Sequence, residues 1–127
     1  MTHDPHHEHL VKELTDQLKP VFSKSPHAVY LYLDDEHKSC NKKFADMLGY
    51  ASPAVWVANQ YPVDDVAKGD QEKVIKAYMN ASQKFIATTL TASMKTKRGK
   101  TIKAEITFVP LPYKNEVFVL HFISPSK

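Results

Sequence analysis

The side chains with the most chemical capacity are the seven histidines, and four of them fall within the first nine residues. His3, His6, His7 and His9, together with Asp4 and Glu8, could chelate a divalent transition metal. His6 and His9 are three apart, so a helix would put them on one side. The reading taken is an exposed chain end with adventitious affinity, and no metal is assigned. His121 lies between Leu120 and Phe122 in an apolar run. It reads as a half-buried strand residue with a satisfied ring nitrogen; the alternative is a polar group of a pocket or an interface. The lone Cys40 allows no internal disulfide. A reactive thiol needs an electropositive, partly exposed site, which Lys38, Lys42 and Lys43 supply only weakly. Cys40 therefore reads as a small strand-end residue.

No nucleophile–base constellation stands out. Asp34-Asp35 and Asp64-Asp65 are paired acids in turn-like segments and read as turn formers and caps. With three glycines in 127 residues there is no glycine-rich phosphate loop. No residue is assigned as catalytic, and an enzyme is not expected. The net charge of +3 rests on lysines, with Arg98 the sole arginine. A reader of base edges usually relies on bidentate arginines. Lys95, Lys97, Arg98, Lys100 and Lys103 crowd one hairpin without aromatics to stack bases, and read as a solvated tip rather than a nucleic-acid site. There is no run of eighteen apolar residues and no basic, apolar leader, so no membrane span is expected and a cytoplasmic location is.

The elements that position these residues follow from periodicity. Asp4-Pro5 can open a helix over roughly 5 to 19, with Val11, Leu14, Leu18 and Val21 as its apolar stripe and Pro20 ending or kinking it. The run 27–35 is β-rich and apolar on both faces, and 36–41 reads as a short returning strand. Asn41 caps a helix whose apolar face is Phe44, Met47 and Leu48 and which stops at Gly49. Residues 51–69 are irregular, punctuated by Pro53, Pro62 and Gly69. Asp70 then caps a long helix with Val74, Tyr78, Ala81 and Phe85 on one face and Ile75, Met79 and Ile86 beside them. Strands over 89–95 and 101–108 have one polar face; the strand at 116–123 is apolar on both apart from His121. A strand apolar on both faces must be covered on both faces.

The segment "NKKFADMLGY" resembles the Asn-x-x-Phe-x-x-x-x-Gly-Tyr stretch of PAS domains, sensory and interaction modules, at Asn41, Phe44, Gly49 and Tyr50. "YPVDDVAKGDQEKV" is similar to that family's proline-acidic lead-in to its long helix, and "KTKRGKTIKAEITFVPL" to its charged hairpin and following strand. The resemblance implies an α+β fold with a five-stranded antiparallel sheet in the order 2-1-5-4-3 and helices on its concave face. An N-terminal amphipathic helix, 1–22, would precede a PAS domain at 23–127. The family's flavin signature, Asn-Cys-Arg-Phe after the Gly-Tyr segment, is absent, and 70–87 holds no histidine for haem. No cofactor is therefore expected, and purified protein should show no strong visible absorption band.

The resemblance further implies a stand-alone sensory or interaction module that takes a small molecule, or a signalling protein partner. Its pocket candidates are Tyr30, Tyr32, Phe44, Trp56, Tyr78, Ile106 and Phe108, with plain core as the alternative, and Trp56 is placed in a mobile lid. Similar modules pair through the N-terminal helix and the outer sheet face. A homodimer is thus expected, with Val11, Leu14, Leu18, Val21 and His121 as interface candidates. The rivals are a pure dimerisation module with a filled core and a small ligand-processing enzyme.

Overall fold

The computed structural model describes residues 5–125; the expected Asp4 cap and the expected ligand His3 lie outside them. Among the described residues the elements are helices α1 (Pro5–Gln17), α2 (Lys19–Lys24), α3 (Lys42–Leu48), α4 (Pro53–Val57) and α5 (Gln71–Lys84), with 3-10 turns at Pro62–Asp65 and Lys68–Asp70. The strands are β1 (Ala28–Asp34), β2 (His37–Cys40), β3 (Thr88–Lys95), β4 (Thr101–Tyr113) and β5 (Glu116–Pro125). They form one antiparallel sheet in the order β2-β1-β5-β4-β3. The strands apolar on both faces, β1 and β5, are neighbours inside it, where the family's strand order puts them, and both of their faces are covered.

Alternation divides the sheet into two apolar layers. Ala28 and Tyr30 of β1, with Val119, His121 and Ile123 of β5, face α3, α4 and α5. Val29, Leu31, Phe118 and Leu120 point the other way and are buried under Leu10, Val11 and Leu14 of α1. The N-terminal helix thus covers its own sheet. Pro20 steps the chain at Leu18, because it lacks an N–H, and a second short helix follows. The step turns Phe22 onto the outer layer beside Leu18, while Val21 is half-buried. Polar contacts fasten α1 along its length. Thr15 shares a 2.7 Å hydrogen bond with Ser39, Lys114 lies 2.5 Å from the Glu13 carboxylate, and the Tyr113 hydroxyl donates to Glu13.

Strand β4 runs past its expected end, through Pro110 and Pro112 to Tyr113. Its β3 neighbour stops at Thr88, opposite Phe108, so both prolines sit where β4 has lost one partner and a missing N–H breaks no ladder bond. The β4–β5 hairpin turns on Lys114 and Asn115, both at positive φ (47° and 71°), the twist a two-residue hairpin favours.

Asn41 starts α3 and Gly49 stops it at φ 82°, the left-handed region glycine tolerates. Asn41 does more than cap. Its Oδ1 accepts from the Phe44 amide at 2.9 Å and from the Val29 amide at 3.1 Å, and its Nδ2 donates to the His27 carbonyl at 3.2 Å. The residue is 4% exposed and ties the start of α3 to the start of β1. Asn41→Ala orphans two amides and is expected to cost about 2 kcal/mol in urea melts, above the ~1 kcal/mol of a simple cap. Asn41→Asp keeps the acceptor and should cost less than half as much. Asn41→Ser is too short to span both strand and helix and should resemble the alanine. Equal losses for aspartate and alanine would contradict this.

Asp70 stands at the expected cap position of α5, but its carboxylate makes no bond to the helix amides. It accepts from the Ser93 amide of β3 at 2.7 Å, which holds its pKa below the ordinary carboxylate value. Helix α5 buries Val74, Ala77 and Ala81, and Phe85 has left it in the left-handed conformation, 58% exposed.

Candidate functional site

The inner face of β1 and β5 forms the floor of a cleft. Tyr30 pairs with His121 across the strands and stacks on its ring at 3.8 Å, nearly parallel at 11°. Phe108 meets the same imidazole edge-on at 4.9 Å. Helix α5 supplies the roof with Val74, Ile75 and Tyr78, the Pro62–Val66 segment one wall, and Asp35 of the β1–β2 turn the rim. Tyr32 and Tyr78 meet edge to face at 5.0 Å. Their hydroxyls are engaged, Tyr32 donating to the Asp35 carboxylate and Tyr78 to the Leu33 carbonyl at 3.0 Å. The cleft holds about 90 Å³. That is well below the roughly 300–1,000 Å³ of sites for drug-sized ligands, yet several times the ~30 Å³ of one water.

The charge state of the cleft follows from burial. The His121 Nδ1 lies 3.1 Å from the Val119 carbonyl, which can only accept, so this nitrogen carries the hydrogen. The imidazole is 2% exposed, and loss of hydration pushes its pKa from 6.5 down to about 3. It is therefore neutral at physiological pH. Burial likewise raises the Tyr30 and Tyr32 phenols above their ordinary value. Among the lining residues Asp35 is the formal charge; no lysine or arginine takes part.

Of the expected pocket residues, Tyr30, Tyr32 and Tyr78 line the cleft. Phe44, Trp56, Ile106 and Phe108 are packed into the inner core, each 1% exposed or less. The lid expected at Trp56 is not what the fold provides. Ser52 caps α4 by accepting from the Val55 amide, and this short helix drives the indole against Phe44 and Tyr30, at 5.0 and 5.1 Å. The Trp56 Nε1 donates to Asp65 Oδ2 at 3.1 Å, and the Tyr50 hydroxyl donates to Asp65 Oδ1 at 2.6 Å. Asp65, read from sequence as a turn former, is thus a buried acceptor, and its burial raises its pKa. The segment that does form a wall, Pro62–Val66, carries Val63 and Val66, whose apolar side chains gave no sequence signal.

His121, counted among the outer-face interface candidates, sits on the inner face instead. Its place opposite Tyr30 and Phe108 fixes this, because a strand alternates its side chains between faces. Val11 and Leu14 are buried on their own sheet, and Leu18 is half-buried there. Cys40 is buried, and loss of hydration pushes its thiol up to about 12, so it is a packing residue and no thiolate. Lys38 projects inward beside it, and its ammonium donates to the carbonyls of Asp35, Val57 (2.8 Å) and Asn59 (2.7 Å). Burial lowers its pKa.

The architecture of a five-stranded 2-1-5-4-3 sheet with α3–α5 across one face is the PAS fold, and solved PAS domains superpose on most of the chain. A PAS domain from Colwellia psychrerythraea matches with a TM-score of 0.69 at 21% identity, over 89% of this chain and 97% of its own. The PAS domain of an HTR-like protein from Haloarcula marismortui matches with a TM-score of 0.65 at 18% identity, over 97% and 100%. A PAS domain of a LuxR-family transcriptional regulator from Burkholderia thailandensis, solved in complex with ethanol, matches with a TM-score of 0.63 at 15% identity, over 84% and 95%. No protein-family model and no curated protein matches the chain. Among the described residues no helix is long and apolar enough to cross a membrane.

Proposed function

We propose that this chain is a PAS sensory module whose input is a neutral or cationic molecule of a few heavy atoms. The cleft between α5, the Pro62–Val66 segment and the sheet is the observation that carries this reading. Its size favours a short alcohol or amine over a flavin or a haem, and the ethanol complex of a structural neighbour is in keeping with that scale. Its charge disfavours carboxylates, since Asp35 stands at the rim and His121 is held neutral. Binding would press on α5 and on Tyr32, whose strand carries α1 on its other side. The change would pass through that helix to a signalling partner. The role is recognition, not turnover.

A screen of small alcohols, amines and amides by thermal melting is expected to raise the melting temperature for a subset. Val63→Trp, which fills the cleft, should abolish that rise. A rise of the same size in Val63→Trp would place the binding elsewhere.

A homodimer through the outer face is a second part of this reading, favoured by one observation. Helices α1 and α2 leave Leu33, Val109, Leu111 and Phe122 half-buried, an apolar fringe a second copy could cover. Sedimentation at micromolar concentration should give a dimer, and Val109→Glu with Leu111→Glu a folded monomer. Because Leu14 already packs inside one chain, Leu14→Glu would damage the monomer itself and cannot separate the two effects.

A further inference from the structure

Helix α1 brings His7 to the β1–β2 turn, where Asp34 ends β1 and His37 opens β2. One ligand atom from each of the three lies within 4.8 Å of the others. Asp34 is divided between two tasks. Its Oδ1 accepts from the amides of Glu36 and His37, both at 2.9 Å, and from the His37 ring at 2.7 Å. Its Oδ2 faces the His7 Nδ1 at 4.0 Å. The other nitrogen of His7, Nε2, lies 3.2 Å from the Glu116 carboxylate. A carboxylate only accepts, so Nε2 directs a hydrogen at Glu116, and Nδ1 is the ring nitrogen that faces Asp34. An orienting carboxylate behind a histidine is the arrangement that prepares an imidazole for a metal.

We propose that His7, Asp34 and His37 bind a divalent first-row transition ion of the Zn²⁺ class, with Glu116 orienting His7. Two imidazoles and a carboxylate suit such ions and are poor ligands for Mg²⁺ or Ca²⁺. Ligand bonds of roughly 2.0–2.2 Å in a tetrahedral shell set neighbouring donor atoms about 3.3–3.6 Å apart. The 4.0 Å gap between His7 Nδ1 and Asp34 Oδ2 is a few tenths of an ångström wider than that, and a small rotation of the partly exposed His7 side chain closes it while Asp34 keeps its bonds to the turn. The ion would clamp the start of α1 to the hairpin and to the start of β5. Its availability would set how firmly the N-terminal helix covers the outer sheet. His9 is not part of the site; its Nε2 faces Glu13 at 3.3 Å, one turn along the same helix.

The test uses the full chain, stripped with a chelator and titrated with ZnCl₂ by calorimetry, with hydrogen exchange of α1 as the second readout. His3→Ala, His6→Ala and His9→Ala together remove the other N-terminal histidines. In that background one ion per chain is expected, with slower exchange across α1. His7→Gln should weaken binding at least 30-fold and cancel the exchange effect, and Glu116→Gln should weaken it about 10-fold. His7→Gln removes a partly exposed side chain, so its metal-free melting should match the parent and keep the comparison valid even if His37→Gln fails to fold. Loss of binding in the triple-alanine background, or equal affinity in His7→Gln, would overturn the site and leave adventitious affinity of the histidine-rich end.

Discussion

Between pH 6.5 and 4 the protein is expected to lose stability at up to about 1.4 kcal/mol per pH unit, with His121 as the source. In the unfolded chain His121 takes up a proton near its ordinary pKa of 6.5, whereas the folded protein resists protonation until about pH 3. Across that window the unfolded state binds the extra proton, so stability falls as pH falls. The stability is undiminished above pH 6.5, and by pH 4 the accumulated loss from this group is roughly 3 kcal/mol, a large share of a small domain's total. Near pH 4 other groups join. Glu13 and Asp70, whose pKa values are lowered in the fold, add to the acid loss, while Asp65, whose pKa is raised, opposes it. Urea melts of wild type and His121→Asn at pH 7, 6 and 5 isolate the imidazole. The asparagine variant should be less stable at pH 7 but flatter with pH by close to one proton. Parallel pH profiles would mean that His121 titrates normally.

Asp65→Ala is the substitution expected to cost most, about 3 kcal/mol or more. It leaves the Tyr50 hydroxyl and the Trp56 indole N–H without their acceptor, and an orphaned buried donor costs roughly 1–3 kcal/mol. The variant should also red-shift Trp56 emission as the 1%-exposed indole gains water. Asp65→Asn retains one acceptor and removes a buried charge, and should cost less than half as much. A loss below 1 kcal/mol in the alanine variant, with unchanged emission, would show that neighbouring waters replace the carboxylate as acceptor.

What could be read from the chain was what depends on neighbours a few residues away. Two-sided apolar, β-rich runs placed Tyr30 and His121 in strands covered on both faces, the Asn41 and Gly49 pair bounded α3, and the resemblance to PAS domains put β1 and β5 inside the sheet. What depends on distant groups could not be read. Nothing near Lys38 signals that its ammonium would find the carbonyls of Val57 and Asn59. Asp65 looks like a turn residue until Trp56 arrives from α4 and Tyr50 from the loop after α3. Periodicity put Phe85 on the buried face of α5, but a helix face extends only as far as the helix, and the chain leaves it there. Six aromatic residues and Ile106 are the expected pocket lining; Phe44, Trp56, Phe108 and Ile106 fill the core instead, and the smaller valines of the Pro62–Val66 segment shape the space that remains. His7 meets Asp34 only because α1 returns across the outer sheet.

The sensory reading stands on the cleft, and amide and aromatic NMR of the labelled protein tests it most directly. Titration with short alcohols and amines should produce saturable shifts clustered at Tyr30, Tyr32, Val66, Tyr78 and His121, with smaller shifts relayed through β1 to α1. Shifts confined to the outer face, or no saturable shift from any of these molecules, would contradict the account and leave a filled-core interaction module.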